Sequence, residues 1–426
     1  MNDQPIRLVV GDDLNRKRLT VFFRWLLAIP HLIWIGLWGI LAFLVVIANW
    51  LATLVAGHSP APLHNFLASY VKYVTQVYGY VSLAADPYPP FDGRAGYPVD
   101  VSIAPPQRQN RWTVAFRAIL ALPAGILAAT LTGSPGWGSG SSGQGSGLGS
   151  YFYSGSGLLH TVAFLGWFAI LARGRMPRGL RDAATYALAY GAQLWAYAFM
   201  LTDRYPNSDP LIALGDLPVR ADPIRIDVGG DLRRSRLTVF FRVLLAFPHL
   251  IWLALWGVLA LLAAIANWLA TLFAGRSPVA LHRFLSAYIR YQAHVYAFLY
   301  LIGNPFPGFV GKPGSYPVEP AIEEPSAQNR WTVAFRLVLA VPTLLIATAY
   351  GGVATTAAVL GWLASIATGE MPAGLRNVLA LALRYLTQSA GYLFLLTDAY
   401  PYSGPCLNPS QSPVTPTPST PLPEWG

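Results

Sequence analysis

The chain has 426 residues, of which 54% are hydrophobic, 13% aromatic and only 11% charged. A soluble domain carries about 25% charged residues, so this composition, with a mean hydropathy of +0.43, excludes an ordinary soluble globular protein and indicates the membrane class. The formal charge of +10 reads first as a topology signal. The single cysteine, Cys406, excludes an internal disulfide framework or a cysteine-based metal site.

Residues 5–83 align with 223–301 at a constant offset of 218, with 50 of 79 positions identical. A looser copy lies inside each half. The phrase F-R-x-x-L-A-x-P opens at Phe23, Phe116, Phe241 and Phe335. A G-x-x-P phrase opens at Gly57, Gly174, Gly275 and Gly369, and an exit phrase at Asp86, Asp203, Asn304 and Asp398. The chain is a duplication of a duplication. Unit I spans 5–97, unit II 98–210 with a Gly/Ser insert at 133–157, unit I′ 223–316 and unit II′ 317–402. Residues 403–426 read as a disordered Pro-rich tail.

In chain order, each unit opens on alternating apolar residues, such as Ile6, Leu8 and Val10, which predict a short strand. Four such strands are expected to pair into one small sheet on a membrane face. A basic amphipathic segment follows; in unit I, Lys17, Thr20, Arg24 and Ala28 share a face, as in an interfacial helix. An apolar run over 31–56 is long enough to span a bilayer, and a second covers 63–85. The expected fold is therefore an all-α polytopic bundle of four units and about eight transmembrane helices, with interfacial helices and short cytoplasmic strands.

Unit starts and linkers hold 19 Lys+Arg and the G-x-x-P loops hold 7. That bias puts both termini and all unit starts in the cytoplasm, with the chain in the inner membrane. The rival arrangement splits the first run, crosses twelve times and inverts alternate units; the bias then shrinks to about 12 against 10. The insert, 18 of whose 25 residues are Gly or Ser, falls where eight spans would place lipid, and irregular backbone is not tolerated there. Either residues 112–132 lie along the surface and the span begins near Leu158, or the insert leaves from a hairpin.

The second runs repeat a polar pair three residues apart: Tyr73 and Gln76, Tyr190 and Gln193, Tyr291 and His294, Tyr385 and Gln388. Polar groups inside a span face the bundle interior or a water-filled cavity. They form either a conduit for a small or anionic solute, or interhelical hydrogen bonds worth about 0.6 kcal/mol each. Arg24, Arg117, Arg242 and Arg336 either bind anionic lipid phosphate or pair with the exit residues Asp86, Asp203 and Asp398. Asn304 removes that partner in unit I′. No acid lies well inside an expected span, which weighs against cation-coupled transport. No metal-ligand spacing and no catalytic motif stands out, so no enzyme activity and no cofactor is expected.

Together these phrases resemble a bacterial membrane family catalogued as domain of unknown function 4389, over about residues 5–402 as tandem copies. The resemblance implies an integral protein of the cell envelope and implies no activity. The expected role is a non-enzymatic scaffold or partner-binding subunit that contacts anionic lipid and a protein partner in the membrane, without nucleic acid. The alternative is a channel or transporter for a small or anionic solute.

Overall fold

The computed structural model of the chain describes residues 5–11, 13–133, 157–229 and 231–408. In unit I, strand β1 (Ile6–Val10) leads to a one-turn helix, α1 (Arg18–Phe22). The chain bends at Phe23 and continues as the long helix α2 (Arg24–Ala56). Gly57 ends α2 with φ 75°, a left-handed conformation that costs glycine no Cβ clash. A second helix, α3 (Ala61–Val81), then returns along α2.

Unit II follows the same order with β2 (Val99–Ile103), α4 (Arg111–Ala115), a long helix in two pieces, α5 (Arg117–Thr132) and α6 (Leu158–Arg173), and α7 (Arg178–Ala198). A short helix, α8 (Pro210–Leu214), precedes the second half. Unit I′ comprises β3 (Ile224–Val228), α9 (Arg236–Phe240), α10 (Arg242–Ala274) and α11 (Val279–Leu299). Unit II′ comprises β4 (Val318–Ile322), α12 (Arg330–Ala334), α13 (Arg336–Thr368) and α14 (Ala373–Leu393).

Among the described residues, three helices, α2, α10 and α13, are long and apolar enough to cross a membrane. On α2 the buried positions are Arg24, Ala28, His31, Ala42, Asn49 and Thr53. Their spacings of three, four, seven and eleven mark one narrow seam, and Leu37, Ile40, Phe43, Leu44 and Val55 are exposed around it. The long helices take their main contacts from the second helices, and the strands pack on those same second helices. On α3, Tyr73 reaches His31 of α2 while Gly79 lies against Val99 of β2. Six residues at about 100° each put these two contacts about 120° apart. On α14, Tyr385 reaches Thr343 of α13 and Gly391 lies against Ile224 of β3, again six residues on. The second helices thus form a middle layer between apolar long helices and polar-faced strands.

Four expectations are corrected. The strands form two separate antiparallel ladders, β1–β2 and β3–β4, and not one sheet. Unit starts do not share one end: Arg16 N donates to Gly174 O and Gln109 N to Gly57 O, so the start of each unit lies beside the G-x-x-P loop of its neighbour. Units I and II are therefore inverted, and the 86–104 linker with its strand runs the length of α3 to make the return. No separate basic helix covers 17–28, because the bend at Phe23 assigns Arg24 to α2, where it is buried. Finally, the tail is packed through Asn408, whose side-chain amide donates to Ile226 O; residues 409–426 lie outside the described residues.

Most of the Gly/Ser insert, 134–156, also lies outside the described residues. Its two ends are informative. A Cβ on Gly157 would sit 2.2 Å from the Gly133 nitrogen, so the ends of α5 and α6 meet. The insert therefore leaves and re-enters at one point within the equivalent of α13, which is continuous over 33 residues.

Candidate functional site

The feature common to all four units is a buried arginine at the first residue of the long helix. Arg24, Arg117, Arg242 and Arg336 are each 1–2% exposed. Each guanidinium lies over an aromatic ring of its own second helix or exit: Tyr80 at 4.3 Å, Tyr197 at 4.1 Å, Phe298 at 4.4 Å and Tyr392 at 4.0 Å. Cation–π contact gains strength when both partners are desolvated. Arg24 also donates to the carbonyls of Tyr80 and Ala85.

The exit acids complete three of the four clusters. Arg24 reaches Asp86 at 2.6 Å, Arg117 reaches Asp203 at 3.0 Å and Arg336 reaches Asp398 at 3.0 Å. In unit I′, Arg242 meets Asn304 Oδ1 at 3.3 Å. This geometry places the arginines inside the protein, against the exit segments, and not on a lipid-facing surface.

Eight residues before each arginine lies a partner that inspection of the motifs missed: Arg16, Gln109, Arg234 and Gln328. Each donates to the backbone carbonyl just after the second helix, at Leu83, Met200, Leu301 and Leu395. Those four residues have φ between 57° and 64°, a left-handed conformation that costs a residue with a Cβ about 1–2 kcal/mol. The donor holds the turn that swings the exit acid back to the arginine. The signal was present in the sequence as a fixed spacing of eight, hidden by the Arg/Gln alternation. Burial pushes the Arg234 guanidinium below its ordinary range, with Asp231 opposing the shift.

The tyrosine and glutamine pairs do not make one polar line. The tyrosines face the long helices: Tyr73 bonds His31 at 2.7 Å, Tyr291 bonds His249 at 2.8 Å and Tyr385 bonds Thr343 at 2.7 Å. Their partners three residues on face the other way. Gln76 donates to Arg94 O, Gln193 accepts from Asn207 N, and Gln388 donates to Ile224 O. His294 meets Glu319 at 3.3 Å, beside the Arg290–Glu319 pair at 2.8 Å. Burial raises the Glu319 pKa, and Arg290 offsets part of that. Tyr190 is buried in α7. In units I, I′ and II′ the pair ties its helix to two different layers.

A second repeated set also went unread. Trp50, Trp167, Trp268 and Trp362 each donate the indole N–H to a carbonyl of the neighbouring unit's one-turn helix: Val114, Val21, Val333 and Val239. Arg18, Arg111 and Arg236 cap carbonyls at the ends of α6, α2 and α13, where a cation complements the helix dipole. No group of three or more potential metal ligands occurs among the described residues.

The family model of Domain of unknown function (DUF4389) matches residues 18–92, 151–208, 236–310 and 330–403. No curated protein and no solved structure matches the chain.

Proposed function

The chain belongs to the DUF4389 family, as four tandem copies, and from that premise we propose a non-enzymatic membrane scaffold that holds a protein partner at the bilayer surface. The observation that carries the proposal is the two-faced build. One face is a set of long helices with Leu, Ile, Phe and Trp side chains exposed along their length. An exposed apolar surface of that extent calls for lipid or another apolar partner. The opposite face presents Asp100, Ser102, Arg225 and Asp227 from the strands, chemistry suited to water and to a polar protein surface.

We place the protein in the bacterial inner membrane with both termini cytoplasmic, and its long helices in one leaflet, roughly parallel to the surface. A 33-residue helix is about 50 Å long, against an apolar slab of about 30 Å. In the eight-crossing alternative, strands β1–β4 and the insert within the unit II long helix would stand at membrane depth, where unpaired backbone is costly. The in-plane arrangement keeps the strands on the aqueous side. A transport path along the tyrosine–glutamine pairs has less support, because those side chains are engaged with other parts of the protein.

The test is photo-crosslinking in cells from residues 102 and 227 on the strand face, with residue 44 on the long-helix face as control. The expected outcome is a discrete protein adduct from the strand face and lipid adducts from residue 44. Absence of a protein adduct at both strand positions, with water accessibility at Tyr73 and Gln76, would overturn the scaffold in favour of a channel.

A further inference from the structure

The four arginine clusters differ in charge, and the difference follows the sequence at two positions. In units II and II′ the residue eight before the arginine is a glutamine. Arg117 then has Gln109 Oε1 at 2.6 Å and Asp203 at 3.0 Å, and Arg336 has Gln328 Oε1 at 2.8 Å and Asp398 at 3.0 Å. Each of these clusters holds one cation and one carboxylate. Unit I holds two cations, with Asp86 Oδ1 lying 2.6 Å from Arg24 Nη2 and 4.0 Å from Arg16 Nε.

Unit I′ keeps both arginines and has lost the acid. The side chains of Arg234 and Arg242 are 4% exposed or less, and Asn304 stands where the other units have aspartate. Arg234 uses its terminal nitrogens on the carbonyls of Asp231, Arg233, Leu301 and Ile302. The nearest carboxylate is that of Asp231, 3.9 Å from Arg234 Nη1 and mostly exposed on the rim. Arginine does not shed its proton to escape burial, so two buried positive charges share this place without a buried counterion.

An open cleft lies over this pair, lined by Asp231, Arg233, Arg234, Ser235, Asn304 and Glu370. Asn304 is part-exposed. Its Oδ1 is taken by Arg242, which leaves the amide nitrogen as a donor. The lining itself pairs Arg233 and Arg234 with the exposed Asp231 and Glu370, and Arg242 beneath it and Arg236 beside Gly369 make the surroundings net positive. Leu237, Phe240 and Val243 are exposed nearby, so the cleft opens beside the apolar face.

We infer that the cleft over Asn304 binds a singly charged phosphate group, either inorganic phosphate or the phosphodiester of an anionic lipid, in the role that Asp86, Asp203 and Asp398 fill elsewhere. Charge-assisted bonds from the exposed Arg233 guanidinium and a bond from the Asn304 amide supply the affinity, and the buried Arg234 and Arg242 add electrostatic attraction. The inference concerns a ligand of the second half only and stands whether or not the strand face holds a partner.

The test uses the full chain purified in non-ionic detergent, with thermal unfolding followed by tryptophan fluorescence. One arm adds inorganic phosphate against chloride at constant ionic strength. The other adds phosphatidylglycerol against phosphatidylcholine. The expected result is a rise in melting temperature on the order of a few degrees with a phosphate-bearing ligand, as for any ligand that binds only the folded state. A response to inorganic phosphate identifies the free anion as sufficient, and a response to phosphatidylglycerol alone identifies the lipid. Asn304→Asp supplies the missing carboxylate and should unfold at a higher temperature without ligand and lose the response. Asp86→Asn recreates the gap in unit I and should enlarge it. No rise in the wild type with either ligand, a full response retained in Asn304→Asp, or an Asp86→Asn response no larger than the wild type's would each overturn the site.

Discussion

At the scale of single residues, what distinguishes this chain is the placement of its cations. The repeated arginines are not solvated at an interface; they are buried, stacked on aromatic rings and bonded to the exit segments. That changes the expected cost of removing one. An exposed pair contributes about 0–1 kcal/mol, whereas removing one partner of a buried pair costs about 3–5 kcal/mol. Arg336→Gln should therefore destabilise the protein by about 3 kcal/mol, the lower end because Asp398 is 31% exposed. Denaturant unfolding in detergent checks this, and a loss below about 1 kcal/mol would contradict the burial. The arginine–aspartate pairing could be anticipated because both phrases recur in every unit. The third member, eight residues upstream, could not, because it switches between arginine and glutamine while keeping the same carbonyl contact.

At the scale of elements, hydrophobic runs announced the helices, and period-two alternation announced the strands at Val99–Ile103 and Ile224–Val228. Strand pairing was not legible, because alternation fixes which face is buried and says nothing of the neighbour. The insert shows the same limit. Its composition marked it as a loop, but only the close approach of Gly133 and Gly157 reveals that it interrupts one helix. Both glycines occupy the position of Gly352 in α13. Deleting 134–157 joins Gly133 to Leu158 and gives 33 residues over 117–173, the length of α13. This variant should keep its melting temperature and gain a continuous helix. Deleting 134–156 leaves one residue more and rotates α6 by about 100°, moving the Trp167–Val21 bond out of register. It should melt at a clearly lower temperature. Equal melting temperatures for the two deletions would mean that α5 and α6 do not act as one helix.

At the scale of the whole molecule, the count of basic residues carries a topology only on the premise that the helices cross the membrane. A 19-to-7 bias separates two sides only if the chain has loops on both. The inversion of units, seen in the Arg16–Gly174 and Gln109–Gly57 contacts, places starts and loops together at each end of the helix layer. Single cysteines at residues 58, 102, 175 and 227 in a Cys406→Ser background test the in-plane arrangement. All four should react with a membrane-impermeant maleimide from the same side. Reaction of 58 and 175 from opposite faces would restore a crossing bundle.

The contacts between the halves are reciprocal. The exit of unit II′ lies on the first turn of α7, where a Cβ on Gly179 would meet Ser403 Oγ at 2.8 Å. The exit of unit II lies on the first turn of α14, where a Cβ on Gly374 would meet Ser208 Oγ at 2.9 Å. Each half hands the same segment to the same place on the other, the reciprocity of a two-fold interface between identical subunits. Two copies of a chain of half this length would close the same exchange as a homodimer. In a single chain the two copies need not be identical, and the halves differ where one has Asp86 and the other Asn304.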